Sequence, residues 1–70
     1  MRLSARNQLV GTVQSIKEGV VTAEVVVRLD GGEEIVSVIT IESVQGLGLK
    51  VGDKVRAIVK STDVMIAAES

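Results

Sequence analysis

The chain has 70 residues, eight Lys and Arg against nine Asp and Glu, a net charge of −1 and no His, Cys, Phe, Tyr or Trp. Those absences exclude disulfide staples, thiolate or imidazole metal sites, thiol nucleophiles, histidine acid–base chemistry and the aromatic platforms on which single-stranded bases stack. A sequence pI near 5.3 also argues against a nucleic-acid partner, because the basic footprint that neutralises phosphates is missing.

Fourteen Val, six Ile and four Thr give 24 β-branched residues, a composition that favours strands over helices. A chain this short struggles to hide so much aliphatic surface in one core. With no covalent or thiolate–imidazole staple available, the expectation is a homo-oligomer. The uncharged stretches 9–16 and 35–41 fall well short of the roughly 20 apolar residues that a membrane span requires. Arg2 and Arg6 are followed by no apolar leader core. The chain therefore reads as one cytoplasmic domain over residues 1–70.

Glycines cut the sequence into five short extended runs. The first covers 8–17, with Gly11 expected as a bulge or bend, and Glu18-Gly19 makes a turn. The second covers 20–30, where Val21, Ala23, Val25, Val27 and Leu29 share one face and Thr22, Glu24 and Arg28 the other. Asp30-Gly31-Gly32 is a hairpin signal, since glycine tolerates the positive φ that tight turns demand. The third run returns over 33–40. Thr40 then reads as a helix N-cap with Glu42 in the first turn, and Gly46 or Gly48 ends that short helix. After a turn around Gly52, run 54–60 is the fourth strand, and 64–68 is the fifth, reached through Ser61-Thr62-Asp63. The predicted fold is all-β: a five-stranded OB-like barrel with one short helix between strands 3 and 4.

Chemistry-bearing motifs are few. The run Gly46-Leu47-Gly48-Leu49-Lys50-Val51-Gly52 superficially suggests a dinucleotide loop. Its third glycine is displaced by Val51, and it follows a helix signal instead of a strand. Glu33 and Glu34 are strand neighbours and point to opposite faces, so they cannot work as an acid–base pair. Six serines have no activating base beyond the sequential Lys60-Ser61. No enzyme is expected, and no residues are expected to ligate a metal cation directly.

The remaining polar groups are donors. Ser4-Ala5-Arg6-Asn7-Gln8 clusters at the start of the first strand, Thr40 and Ser43 stand at the mouth of the helix, and Lys60-Ser61 closes the fourth strand. Arg offers a planar fork and Lys a compact charge, so the set suits a small tetrahedral dianion. Each also has an ordinary reading, as a helix cap or a surface cation, and sequence alone does not bring the three clusters together.

The opening Ser4-Ala5-Arg6-Asn7-Gln8-Leu9-Val10-Gly11-Thr12-Val13 resembles that of the molybdenum-pterin-binding proteins, the molbindins or Mop domains. The resemblance continues through Val38-Ile39-Thr40-Ile41-Glu42-Ser43, then Leu47-Gly48-Leu49 and Gly52, and ends at Val59-Lys60-Ser61 before Val64. It implies a transport-associated OB barrel that assembles as a homohexamer, a trimer of dimers, in bacterial cytoplasm. It also implies a ligand: molybdate, with tungstate as its analogue, held at subunit interfaces for storage or homeostasis, with no organic cofactor. Carried onto this chain, Ser4, Ala5 (through its backbone), Arg6, Lys60 and Ser61 would form one wall of the site, and Thr40 and Ser43 of a neighbouring subunit the other. A second class of site near the three-fold axis is implied as well, with the turn Lys17-Glu18-Gly19-Val20 as its candidate. The alternatives are an oligomerising structural or protein-interaction module with no anion and, more distantly, a nucleic-acid-binding OB domain. No nucleic acid or membrane partner is expected.

Overall fold

In the computed structural model, which describes residues 3–69, the valine-rich runs fold into one antiparallel sheet. Its strands are β1 (Asn7–Glu18), β2 (Thr22–Leu29), β3 (Glu34–Thr40) and β4 (Lys54–Val59), arranged β3-β2-β1-β4. The helix α1 (Ile41–Leu47) connects β3 to β4, as the N-cap signal at Thr40 predicts.

Alternation decides which face is buried. Ala23, Val25 and Val27 of β2 turn inward against Val13 of β1, and Val44 of α1 completes this core from above the sheet. Full burial of one aliphatic side chain stabilises by about 1.5–3 kcal/mol, and this core holds only four valines and an alanine. Many aliphatics remain outside it, among them Val20, Val36, Val38 and Val51. That is the surplus the composition anticipates. Val21, expected on the inward face, lies in the bend before β2 and is exposed, so the buried face begins at Ala23.

Two glycines have duties the sequence only half discloses. Gly11 is a buried residue within β1, but the register shift lies between Val13 and Ser15, two residues farther on. What Gly11 permits is close approach: a Cβ there would stand 2.6 Å from the Arg28 carbonyl oxygen and 2.7 Å from Val27 Cγ1. The bulge has its own anchor, because the loop after α1 docks on it. Val13 N–H donates to Asp53 O at 2.9 Å, and Gly52 N–H donates to Val13 O at 2.8 Å. Gly48, not Gly46, ends the helix, with φ 62° and ψ 35° in the left-handed region.

The expected hairpin at Asp30-Gly31-Gly32 forms, closed by Gly32 N–H to Leu29 O and Leu29 N–H to Glu33 O, with Gly32 at φ 98°. The fifth strand does not form within the single chain. A 3-10 turn at Ser61–Asp63 follows β4, and residues 64–69 join no ladder. A strand exists only as a partner in a ladder, and this segment pairs with neither outer strand, although Val64 borders a hollow with Ile35 of β3 and Val59 of β4. The OB-type curl is present, with a gap between its two outer strands.

Candidate functional site

Register explains why two of the three donor clusters meet. β1 and β4 run antiparallel with Asn7 opposite Val59 as the terminal pair. Arg6 precedes the first of these and Lys60 follows the second, so Ser4-Ala5-Arg6 and Lys60-Ser61 leave the sheet side by side at one end. Among the described residues, the side chains of Ser4, Arg6, Lys60 and Ser61 make no hydrogen bond. Apart from Ala5, which is half-buried, all of them are exposed.

One connection at this end was not anticipated. Arg56 Nη1 donates to Gln8 Oε1 at 3.0 Å, and Gln8 Nε2 donates to the Ala5 carbonyl at 3.4 Å. Gln8 pairs with Ile58 across the ladder and Val10 with Arg56, so the contact is diagonal on the outer face, within reach of a long side chain. It ties the arm carrying Ser4, Ala5 and Arg6 to β4. Only a known register could have revealed it, and Gln8, counted among the free donors from sequence, spends its amide here.

The third cluster lies elsewhere. Thr40 ends β3 opposite Thr22, and Ala23 pairs with Glu18 at the far end of β1. Across the curl the route is shorter than along β1: Ile35 lines one hollow with Asn7 and Val59, and the five residues from Ile35 to Thr40 rise about 17 Å along β3. One copy of the chain does not bring Thr40 and Ser43 to Arg6 and Lys60.

The local chemistry at Thr40 is specific. Its Oγ1 accepts from the Ser43 backbone N–H at 3.0 Å and donates to Ser43 Oγ at 2.8 Å. Ile41 N–H is already committed to Val21 O at 2.9 Å. Two backbone donors of the first helical turn are thus taken and are not free for an anion. What stays available is the hydroxyl proton of Ser43, because in the hydroxyl–hydroxyl bond Thr40 is the donor.

The turn at Lys17-Glu18-Gly19 borders an open cleft of about 300 Å³, lined also by Thr22, Glu24 and Val38. Glu18 and Glu24 set two carboxylates against one ammonium there, a poor balance for a dianion in a single copy. Val20, the fourth residue of that candidate, is not in the lining. Among the described residues, no three His, Cys, Asp or Glu converge as a metal-ion site, and no helix is long and apolar enough to cross a membrane.

The TOBE domain family model matches residues 3–66. Molybdenum-pterin-binding protein 2 of Clostridium pasteurianum is 57% identical over 68 residues, spanning 97% of this chain and 100% of the relative. The chain belongs to the Mop family of TOBE domains. Among solved structures, this Mop domain is similar to a molybdate-binding protein from Sporomusa ovata. The TM-score is 0.92 at 44% identity, covering 97% of this chain and 100% of that one. It is also similar to the cytoplasmic molybdate-binding protein ModG in a molybdate-bound crystal form, with a TM-score of 0.84 at 52% identity. That match covers 87% of this chain and 43% of the longer one.

Proposed function

We propose that this Mop domain binds molybdate, and tungstate as its close analogue, at sites shared between copies of the chain, as a cytoplasmic store that leaves the anion chemically unchanged. One copy supplies Ser4, the Ala5 backbone, Arg6, Lys60 and Ser61, and another supplies Thr40 and Ser43. The observation that carries this reading is the separation of two donor groups, one beside the Asn7–Val59 pair and the other at the far end of β3. Each group is exposed and incomplete alone.

Exposed ion pairs in water contribute only about 0–1 kcal/mol. Charge-assisted hydrogen bonds in a water-excluded interface are roughly twice as strong as neutral ones. Joining the halves between copies both completes the donor set and removes the water. The full-length matches to proteins named for molybdate or molybdenum-pterin binding support the choice of anion. The expectation of a homohexamer and of a single domain over residues 1–70 is part of the same proposal.

Selectivity follows from the donors. Molybdate carries no proton at neutral pH and presents only acceptors, which suits N–H, O–H and cationic groups. Protonated phosphate brings a donor that meets no acceptor in this set. Sulfate is also acceptor-only and must be rejected by size.

Isothermal titration with molybdate, tungstate, sulfate and phosphate tests the proposal. Saturable heat with the first two and none with the last two is expected. Silence with all four removes the anion and leaves the oligomerising module as the reading.

A further inference from the structure

Two residues outside the proposed donor set hold the arm that carries half of it. The last ladder pair between β1 and β4 is Asn7 with Val59, so Ser4, Ala5 and Arg6 lie beyond the sheet. A segment so placed near a chain terminus samples many backbone conformations unless something ties it down. Among the described residues, one side-chain hydrogen bond reaches it: Gln8 Nε2 donates to the Ala5 carbonyl at 3.4 Å. Gln8 in turn accepts at Oε1 from Arg56 Nη1 at 3.0 Å.

The direction of each bond matters. A carboxamide has one oxygen and one nitrogen, and a guanidinium can only donate. Arg56 therefore draws Oε1 to its own side and leaves Nε2 for Ala5. Without Arg56 the amide is free to turn its oxygen toward the Ala5 carbonyl, where two acceptors meet and no bond forms. With the tether in place the chain is held on both sides of Arg6. The ladder fixes Asn7, one residue after it, and the tether fixes the Ala5 carbonyl, one residue before. Because a peptide unit is planar, a fixed Ala5 carbonyl also fixes the plane through which Arg6 is joined to the arm. The sheet does not need this contact. Gln8 and Arg56 enter the ladder through their backbones, opposite Ile58 and Val10, and the Arg56 side chain is exposed on the face away from the core.

We infer that Arg56 and Gln8 are positioning residues for the oxyanion: Arg56 orients the Gln8 amide, and the amide holds the Ser4-Ala5-Arg6 arm in the shape that receives the anion. This role presupposes that the arm is half of a molybdate site. Both residues act through the arm, and neither is itself a ligand. The gain is preorganisation, since apparent affinity falls in proportion to the fraction of molecules already in the binding shape. If loss of the tether leaves about a tenth to a third of the arms correctly set, affinity falls roughly three- to tenfold.

A double-mutant cycle on molybdate affinity, read by titration calorimetry, compares the parent, Arg56→Ala, Gln8→Ala and the double variant. Each single variant should bind roughly three- to tenfold more weakly. The double variant should bind no more weakly than Gln8→Ala alone, because residues that act as a unit are not additive. Arg56→Lys keeps a donor and the charge and should recover part of the loss. Ligand-free melting temperatures, taken at one protein concentration, should stay within about 4 °C of the parent, as surface substitutions do in a domain of this size. Losses that multiply in the double variant would mean that Arg56 acts by its own charge, and would overturn the inference. Parental affinity in either single variant overturns it too, as do melting temperatures that fall while affinity holds. Should Gln8→Ala fail to fold, Gln8→Met takes its place, with the length of the side chain kept and its hydrogen bonds gone. A parent that gives no heat with molybdate removes the proposed function itself. That result is distinct from failure of the tether, in which parent and variants bind equally well.

Discussion

Replacing Thr40 and Ser43 one at a time separates holding the helix from holding the anion. Thr40→Val removes the oxygen that accepts from the Ser43 backbone N–H at 3.0 Å. Loss of such an N-cap costs about 1 kcal/mol, which in a domain of this size lowers Tm by about 4–8 °C. Ser43→Ala leaves that backbone bond intact, because Thr40 Oγ1 remains as the acceptor. Alanine is also the better helix former by about 0.5 kcal/mol, so the ligand-free Tm of Ser43→Ala should be unchanged or slightly raised. Binding should move the other way. The Ser43 hydroxyl proton is uncommitted, since Thr40 donates in the bond between the two hydroxyls. A hydrogen bond to a charged group contributes about 1.5–3 kcal/mol, so Ser43→Ala should weaken molybdate binding by roughly ten- to hundredfold. Thermal melts without ligand, at one protein concentration because assembly makes Tm concentration-dependent, and titration calorimetry read the two effects separately. A Ser43→Ala protein that melts as early as Thr40→Val, or that binds molybdate like the parent, would refute the reasoning.

Three further outcomes are expected. Arg6→Ala should reduce molybdate affinity at least tenfold while leaving the far-UV spectrum unchanged, and Arg6→Lys should restore part of it, because the charge returns without the planar fork. Gly11→Ala should destabilise by about 1–3 kcal/mol in urea unfolding, as overpacking does, because the new methyl meets the Arg28 backbone carbonyl, which cannot swing aside. Gly46→Ala and Gly48→Ala should part company. Gly46 sits in the helix with open space around it and should gain about 0.5–1 kcal/mol. Gly48 holds φ 62° and should lose about 1–2 kcal/mol.

Much of the fold is legible because the core face of β2 and the punctuation around it are local signals. Ala23, Val25 and Val27 alternate, Thr40 caps, and the Asp30-Gly31-Gly32 turn needs its glycines, all within a few neighbouring residues. What escaped the sequence is relational. Gly11 looks like a bulge because glycine in a strand usually marks either a bulge or a close approach, and only the pairing of β1 with β2 tells which. The 64–68 segment has every property of a strand except a partner inside the chain. The donor clusters were legible by residue type, and the resemblance to Mop domains joined them. The register of β1 with β4 brings Arg6 beside Lys60, while the run of β3 from Ile35 to Thr40 carries Ser43 away from both. No local pattern encodes that separation.

If each anion site is built from two copies, mixing defective subunits should restore some of the sites. Arg6→Ala and Ser43→Ala chains are unfolded together in equal amounts, refolded and titrated with molybdate, beside each variant refolded alone. If the halves come from different copies, random assembly pairs an intact Arg6 half with an intact Ser43 half at about a quarter of the sites, as symmetric assemblies with shared sites require. That fraction of parental-affinity sites should appear only in the mixture. Mixtures that bind no better than the separate variants, although their subunits have exchanged, would contradict it.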